Sequence, residues 1–225
     1  IDCLFAGDTQ RGGADAFDTG VDAININGAG GAETIEGTTL ADVITGGAGA
    51  DILFGGAGND TLVVDDADTL VDGDAVTDTL AFAASATFLG TELANVEAAT
   101  AAADGANLTV SYMDVKGANN IAVFNGFTGS GSAVEQLIVM GDGAGNTLDY
   151  SSGLTLNNAQ LVVVGGDQDD NITGTAGSDS LDGGNDVDTI TGGAGADTIT
   201  GGGAVDIFVY NAGDSYGLAG QLDTV

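Results

Sequence analysis

GGDQDDNIT (165–173), GTAGSDSLD (174–182), GGNDVDTIT (183–191), GGAGADTIT (192–200) and GGGAVDIFV (201–209) are five consecutive nine-residue phrases in one register. Each opens on glycine, carries aspartate at its sixth place (Asp170, Asp179, Asp188, Asp197, Asp206) and an apolar residue at its eighth (Ile172, Leu181, Ile190, Ile199, Phe208). A second array, GAGGAETIE, GTTLADVIT, GGAGADILF and GGAGNDTLV, runs from Gly28 to Val63 with Glu33, Asp42, Asp51 and Asp60 at the sixth place. Self-similarity at a short fixed period marks a solenoid. Nine residues divide into a six-residue loop and a three-residue strand, on which the central side chain points inward and its neighbours outward. Two phrases then complete one rung, with a strand on each side and a loop at each edge. Phrases of the same parity stack at the strand spacing of ~4.8 Å. This places Asp170, Asp188 and Asp206 in one column, Asp179 and Asp197 in another, Asp42 on Asp60, and Glu33 on Asp51.

Carboxylates ~5 Å apart repel one another unless a cation lies between them. Calcium suits the position, because it accepts six to eight oxygens and mixes carbonyls with carboxylates. Glycine permits the left-handed backbone that turns carbonyl oxygens toward an ion. Magnesium fits less well, since it dehydrates reluctantly and rarely uses an all-protein cage. One ion between successive same-side loops gives two sites in the first array and three in the second. Those five or more calcium ions offset about ten of the 32 net negative charges. The phrases are uneven: only 46–51, 55–60 and 192–197 keep the full GGxGxD. Thr38, Leu40, Thr175, Gln168, Asp186 and Ala204 occupy glycine places, and Glu33 replaces aspartate. Sites built on Glu33 or on GTTLAD are expected to be weak or empty. The GDGAGNTLD phrase (141–149) has Asn146 at the sixth place and is not counted as a site.

Composition agrees. Of 34 acids in the 225 residues 29 are Asp, a residue of turns rather than helix interiors, and the only bases are Arg11 and Lys116. A net charge of -32 argues against nucleic acid or an anionic membrane surface as partner, since both require basic groups. The 43% hydrophobic content argues against plain disorder, so folding is expected to wait for cations. With no histidine the chain has no histidine-ligated zinc and no Ser-His-Asp relay. Cys3 is alone, which excludes an internal disulfide. The sequence opens at Ile1 with no methionine, signal peptide or long apolar run and reads as a piece of a longer protein.

Four regions follow: lead-in strands (1–27, with AININ at 23–27), the first array (28–81), an irregular β-rich stretch (82–164), and the second array with its tail (165–225). The first array continues loosely through GDAVTDTLA, where Asp78 and Leu80 hold the sixth and eighth places. The middle keeps short apolar strands in NVEAAT, NLTVSYM, NIAVF, EQLIVM, NTLDYS and LVVVGG, with one helical turn expected near Leu89 to Glu92. The fold expected is all-β: a parallel β-roll or solenoid with two nonapeptide arrays joined by an irregular solenoid-like middle.

The phrases resemble the RTX (repeats-in-toxin) family, whose nonapeptides wind into a parallel β-roll around calcium. The resemblance implies Asp42, Asp51, Asp60, Asp170, Asp179, Asp188, Asp197 and Asp206 as carboxylate ligands, with loop carbonyls at Gly47, Gly49, Gly56, Gly58, Gly193 and Gly195. It also implies type I secretion of an unfolded chain that folds outside the cell in millimolar calcium. DTLAFAASATFLGTELANVEAAT (78–100) is similar to the L-x-NVE rungs of large RTX surface proteins, bacterial S-layer proteins among them. DIFVYNAGDSYGLAGQLDTV (206–225) is similar to the C-terminal RTX module shared with serralysin-type proteases, and stops before that module's closing Asp-Phe.

Three functions compete. The first is a secreted, extracellular structural protein that folds on calcium and assembles with copies of itself into a surface layer or filament, with surface polysaccharide open as a further partner. The second is the non-catalytic RTX module of a secreted hydrolase, lyase or epimerase. The third is a segment of a giant adhesin. Catalysis within the chain is not expected. Tyr112, Asp114 and Lys116 on one strand face are the best local candidates, and a solvated Asp–Lys pair explains them as well. No membrane insertion is expected.

Overall fold

A computed structural model describes residues 24–74, 76–89, 93–111, 126–212 and 214. Cys3, the helical turn expected near Leu89 to Glu92 (all but Leu89), the NIAVF strand, Tyr112 to Lys116 and most of the tail lie outside the described residues. The described residues hold 21 strands and no helix, and every strand pairing among them is parallel.

Four sheets carry the strands, numbered in chain order. The first runs β1 (Asn25–Asn27), β3 (Val43–Thr45), β5 (Thr61–Val64), β7 (Thr79–Phe82), β10 (Ala98–Ala101), β12 (Gly126–Thr128), β15 (Thr155–Asn157). Across the interior of the first array lie β2 (Thr34–Glu36), β4 (Ile52–Phe54), β6 (Leu70–Asp72) and β9 (Leu93–Ala94). A third sheet joins β8 (Ala86–Phe88), β11 (Leu108–Ser111), β13 (Glu135–Met140), β16 (Ala159–Gly166), β18 (Ser180–Gly184) and β20 (Thr198–Gly202). The fourth joins β14 (Thr147–Asp149), β17 (Asn171–Thr173), β19 (Thr189–Thr191) and β21 (Ile207–Val209). Odd and even phrases thus occupy opposite walls, as a nine-residue half-rung requires.

The register shows the same. Val43 pairs with Thr61 and Thr61 with Thr79; Thr189 pairs with Ile207 and Ser180 with Thr198, each one 18-residue rung apart. The central residue of each short strand turns inward, so Ile35, Ile44, Leu53, Leu62, Ile172, Leu181, Ile190 and Ile199 are buried. Phe208, on the last described rung, is only half-buried. Truncating one such residue removes its transfer energy and leaves a cavity that a stacked rung cannot collapse. Leu53→Ala should therefore cost about 2–5 kcal/mol of stability in the folded protein, read from denaturant melts.

The middle is continuous with both arrays. The first sheet extends from Asn25 to Asn157, the third from Ala86 to Gly202, and one core cluster runs from Ile26 to Ile199. Rungs lengthen there: Gln136 reaches Asn107, 29 residues back, and Asn146 reaches Asp170, 24 residues on. A longer circuit encloses more interior, and aromatic side chains fill it. Phe82, Phe88 and Phe127 are fully buried, with Phe82 and Phe127 stacked at 6.1 Å and 9° between their planes.

Candidate calcium ladder

At each loop edge the sixth-place carboxylate reaches back one rung. One of its oxygens accepts the backbone N–H of the residue holding the same place in the previous rung. Asp60 Oδ1 accepts from Asp42 at 2.8 Å, and Asp42 Oδ1 accepts from Ile24 at 2.6 Å. On the opposite edge Asp51 Oδ1 accepts from Glu33 at 2.8 Å. In the second array Asp188 Oδ1 accepts from Asp170 (2.8 Å), Asp206 Oδ1 from Asp188 (3.1 Å) and Asp197 Oδ1 from Asp179 (2.9 Å). The structure therefore brings together the columns drawn from the spacing. It also extends them: Asp78 Oδ1 accepts from Asp60 (2.7 Å), Glu97 Oε2 from Asp78 (2.7 Å), and Asp68 Oδ1 from Asp51 (3.2 Å).

The second oxygen of each carboxylate is a different matter. Asp51, Asp60, Asp78, Asp170 and Asp188 are at most 2% exposed, and their Oδ2 atoms have no hydrogen-bond partner; Glu33 Oε2 and Glu97 Oε1 are likewise buried and bare. A buried carboxylate oxygen without a partner costs several kcal/mol, roughly 1–3 or more. Neither base of the chain, Arg11 or Lys116, falls among the described residues. The opening glycine of each loop makes room for these oxygens. A Cβ on Gly183 would stand 2.2 Å from Asp188 Oδ2, and one on Gly55 would stand 2.6 Å from Asp60 Oδ2. The donors fit a hard cation: bare carboxylate oxygens beside loops rich in carbonyls. Among the described residues no three acidic or thiol side chains converge on one point, so carboxylates alone would not make a shell, and loop carbonyls or water would complete it.

Gly47, Gly49, Gly56, Gly58, Gly193 and Gly195 all have positive φ, between 92° and 137°. Substituted phrases keep part of this backbone: Gln168, Asp186 and Ala204 take positive φ at the fourth place. The two loops that open Gly-Thr do something else. Thr38 donates both its backbone N–H (2.5 Å) and its hydroxyl (2.8 Å) to Asp42 Oδ2, and Thr175 donates its N–H (2.6 Å) and hydroxyl (3.0 Å) to Asp179 Oδ2. Here the side chain supplies the second oxygen with donors, so Asp42 and Asp179 do not present it bare. In Thr175→Val the hydroxyl is lost and the buried oxygen keeps only the N–H. The expected cost is about 1–3 kcal/mol by thermal melt at fixed calcium. Asn146 Nδ2 donates to the Ala144 carbonyl at 2.6 Å, closing its loop without a carboxylate.

Burial pushes the Asp78 carboxyl up to about 7 and the Asp68 and Asp179 carboxyls up to about 6, opposed by the N–H bonds they accept. Asp60, Asp170 and Asp188 are raised for the same reason. A carboxyl with a raised folded pKa binds more protons folded than unfolded, so its contribution to stability is full below about pH 4 and is lost as pH rises toward 7. Without calcium, β structure should therefore be greater at pH 4–5 than at pH 8. With calcium, proton and ion compete, and the calcium midpoint of folding should fall as pH rises from 5 to 8. Circular dichroism across both titrations reads the sign.

Residues 27–62, 164–198 and 182–216 match the family described as RTX calcium-binding nonapeptide repeat (4 copies). No curated protein matches the chain. Both arrays therefore carry calcium-binding RTX repeats. The matched family is a repeat module rather than a catalytic domain. No helix of the described residues is long and apolar enough to cross a membrane.

Proposed function

We propose that this chain is an extracellular structural protein, secreted unfolded and folded by calcium, which assembles with copies of itself into a surface layer or filament. The observation that carries the reading is the ladder: buried carboxylates tied by one oxygen and bare at the other, in stacked columns. Ligands are Asp51, Asp60, Asp170, Asp188, Asp197 and Asp206, with Asp42 and Asp179 sharing their carboxylates with threonine, and carbonyls from Gly47, Gly49, Gly56, Gly58, Gly193 and Gly195. Calcium would supply positive charge and six to eight oxygen contacts, holding neighbouring rungs together.

Assembly draws on two further features. Terminal strands of a solenoid offer pairing edges to the next copy, and here β20 and β21 end their sheets among the described residues. Exposed Asp66, Asp104, Asp142, Asp167 and Asp169 are available to calcium bridges between molecules. Electron microscopy of the purified protein with and without millimolar calcium tests this. Sheets or fibres that need calcium support it, and a monodisperse monomer in both conditions overturns it. The second result would favour an accessory module of a secreted enzyme or an adhesin segment, consistent with the resemblance of 206–225.

A further inference from the structure

We infer that the first column ends in an additional divalent-cation site, made by Asp78 and Glu97 outside the matched repeats. This rests on the calcium reading above. Both side chains are nine-tenths or more buried, Asp78 at 0% and Glu97 at 6% exposure. Glu97 Oε2 is fixed on the Asp78 N–H at 2.7 Å and Asp78 Oδ1 on the Asp60 N–H at 2.7 Å, which leaves Asp78 Oδ2 and Glu97 Oε1 buried without partners. Two ionised carboxylates in successive rungs, each with a bare oxygen, need a positive charge that no described residue provides.

Gly73 opens the space. A Cβ on it would stand 2.5 Å from Asp78 Oδ2 and 2.1 Å from the Asn95 carbonyl oxygen, so these two oxygens converge over its bare face. The loop after Gly73 adopts the glycine backbone without glycines: Asp74 has φ 77° and Val76 φ 81°. A β-branched residue in that region is a true outlier, held only where surrounding structure insists on it. An all-oxygen set of two carboxylates and a carbonyl selects a hard cation of calcium's kind.

The test counts calcium bound to the full chain by equilibrium dialysis and atomic absorption, with β structure followed by circular dichroism. Glu97→Gln should bind one ion fewer than the parent, with the β signal at saturating calcium retained. Asp78→Asn combined with Glu97→Gln should lose that same single ion, not two. Glu97→Asp keeps the charge on a shorter arm and should weaken one ion by about tenfold or more, leaving the others unchanged. An unchanged count and isotherm in Glu97→Gln and Glu97→Asp overturns the site, as it would if the pair held a shared proton instead. So does a loss of two ions in the double variant. If the parent binds no calcium, the calcium reading itself fails; if the parent binds calcium and the variants match it, only this site fails.

Discussion

In excess EDTA the chain will lose its β circular-dichroism signal, and millimolar calcium will restore it. The energetics make this the largest effect expected. At a free concentration one hundred times its dissociation constant, each ion that binds only the folded state adds about 2.7 kcal/mol. Five such ions would exceed about 13 kcal/mol, as much as the whole stability of an ordinary domain, roughly 5–15 kcal/mol. Without them the rungs bring buried carboxylates together in a chain of net charge -32, and self-repulsion favours the open state. Magnesium at the same concentration should restore far less, because it resists dehydration and demands a stricter shell. A spectrum indifferent to chelator would contradict the calcium account while leaving the fold intact.

Gly56→Ala should be one of the most damaging single methyl additions in the first array. Gly56 has φ 92°, and a Cβ there would stand 2.2 Å from the Thr38 carbonyl oxygen of the rung below. The methyl therefore meets rigid backbone that also accepts the Ala57 N–H at 3.1 Å, so relief means separating two rungs. Left-handed backbone alone costs an alanine about 1–2 kcal/mol. Adding the clash, the variant should lose about 3 kcal/mol or more and require a much higher calcium concentration to fold. Ala204→Gly, at a fourth place with φ 65° on the last described rung, is the matched control. Relief of strain and greater freedom of the unfolded chain nearly offset there, so its stability should shift by less than about 1 kcal/mol.

The rung architecture was legible because a period of nine admits few alternatives. Once the sixth-place acids are aligned, the 18-residue register, the inward eighth-place side chain and the stacking of Asp42 on Asp60 or Asp170 on Asp188 all follow. Counting by nine also set the limit of that reading. Asp68 lies 17 residues beyond Asp51, and Glu97 lies 19 beyond Asp78, so each drops out of a strict nonapeptide count by one residue while its carboxylate still joins the ladder. Asp78 held the sixth place but sat in a phrase without the loop glycines. Thr38 and Thr175 looked like defects of the motif, yet each uses its hydroxyl to occupy the oxygen a cation would take.

The middle rungs could not be derived from periodicity, because their 24- and 29-residue circuits repeat nothing. They solve the same electrostatic problem by other means. Glu135, fully buried, accepts from the Gly105 N–H at 2.9 Å through one oxygen and from the Asn158 side-chain amide at 3.4 Å through the other. A side-chain donor thus stands where the arrays leave an oxygen bare. The difference explains why calcium dependence should be concentrated in the two arrays and the Asp78–Glu97 end of the first column, with the rest of the middle held by its aromatic core.

The central claim is that the bare carboxylate oxygens of the columns are calcium ligands. Long-wavelength anomalous diffraction from crystals grown in calcium tests it most directly. The account predicts calcium peaks about 2.3–2.6 Å from Oδ2 of Asp60, Asp170 and Asp188, with loop carbonyls in the same shells. Well-ordered loops whose Oδ2 atoms meet only water or one another, with no anomalous signal beside them, would contradict it.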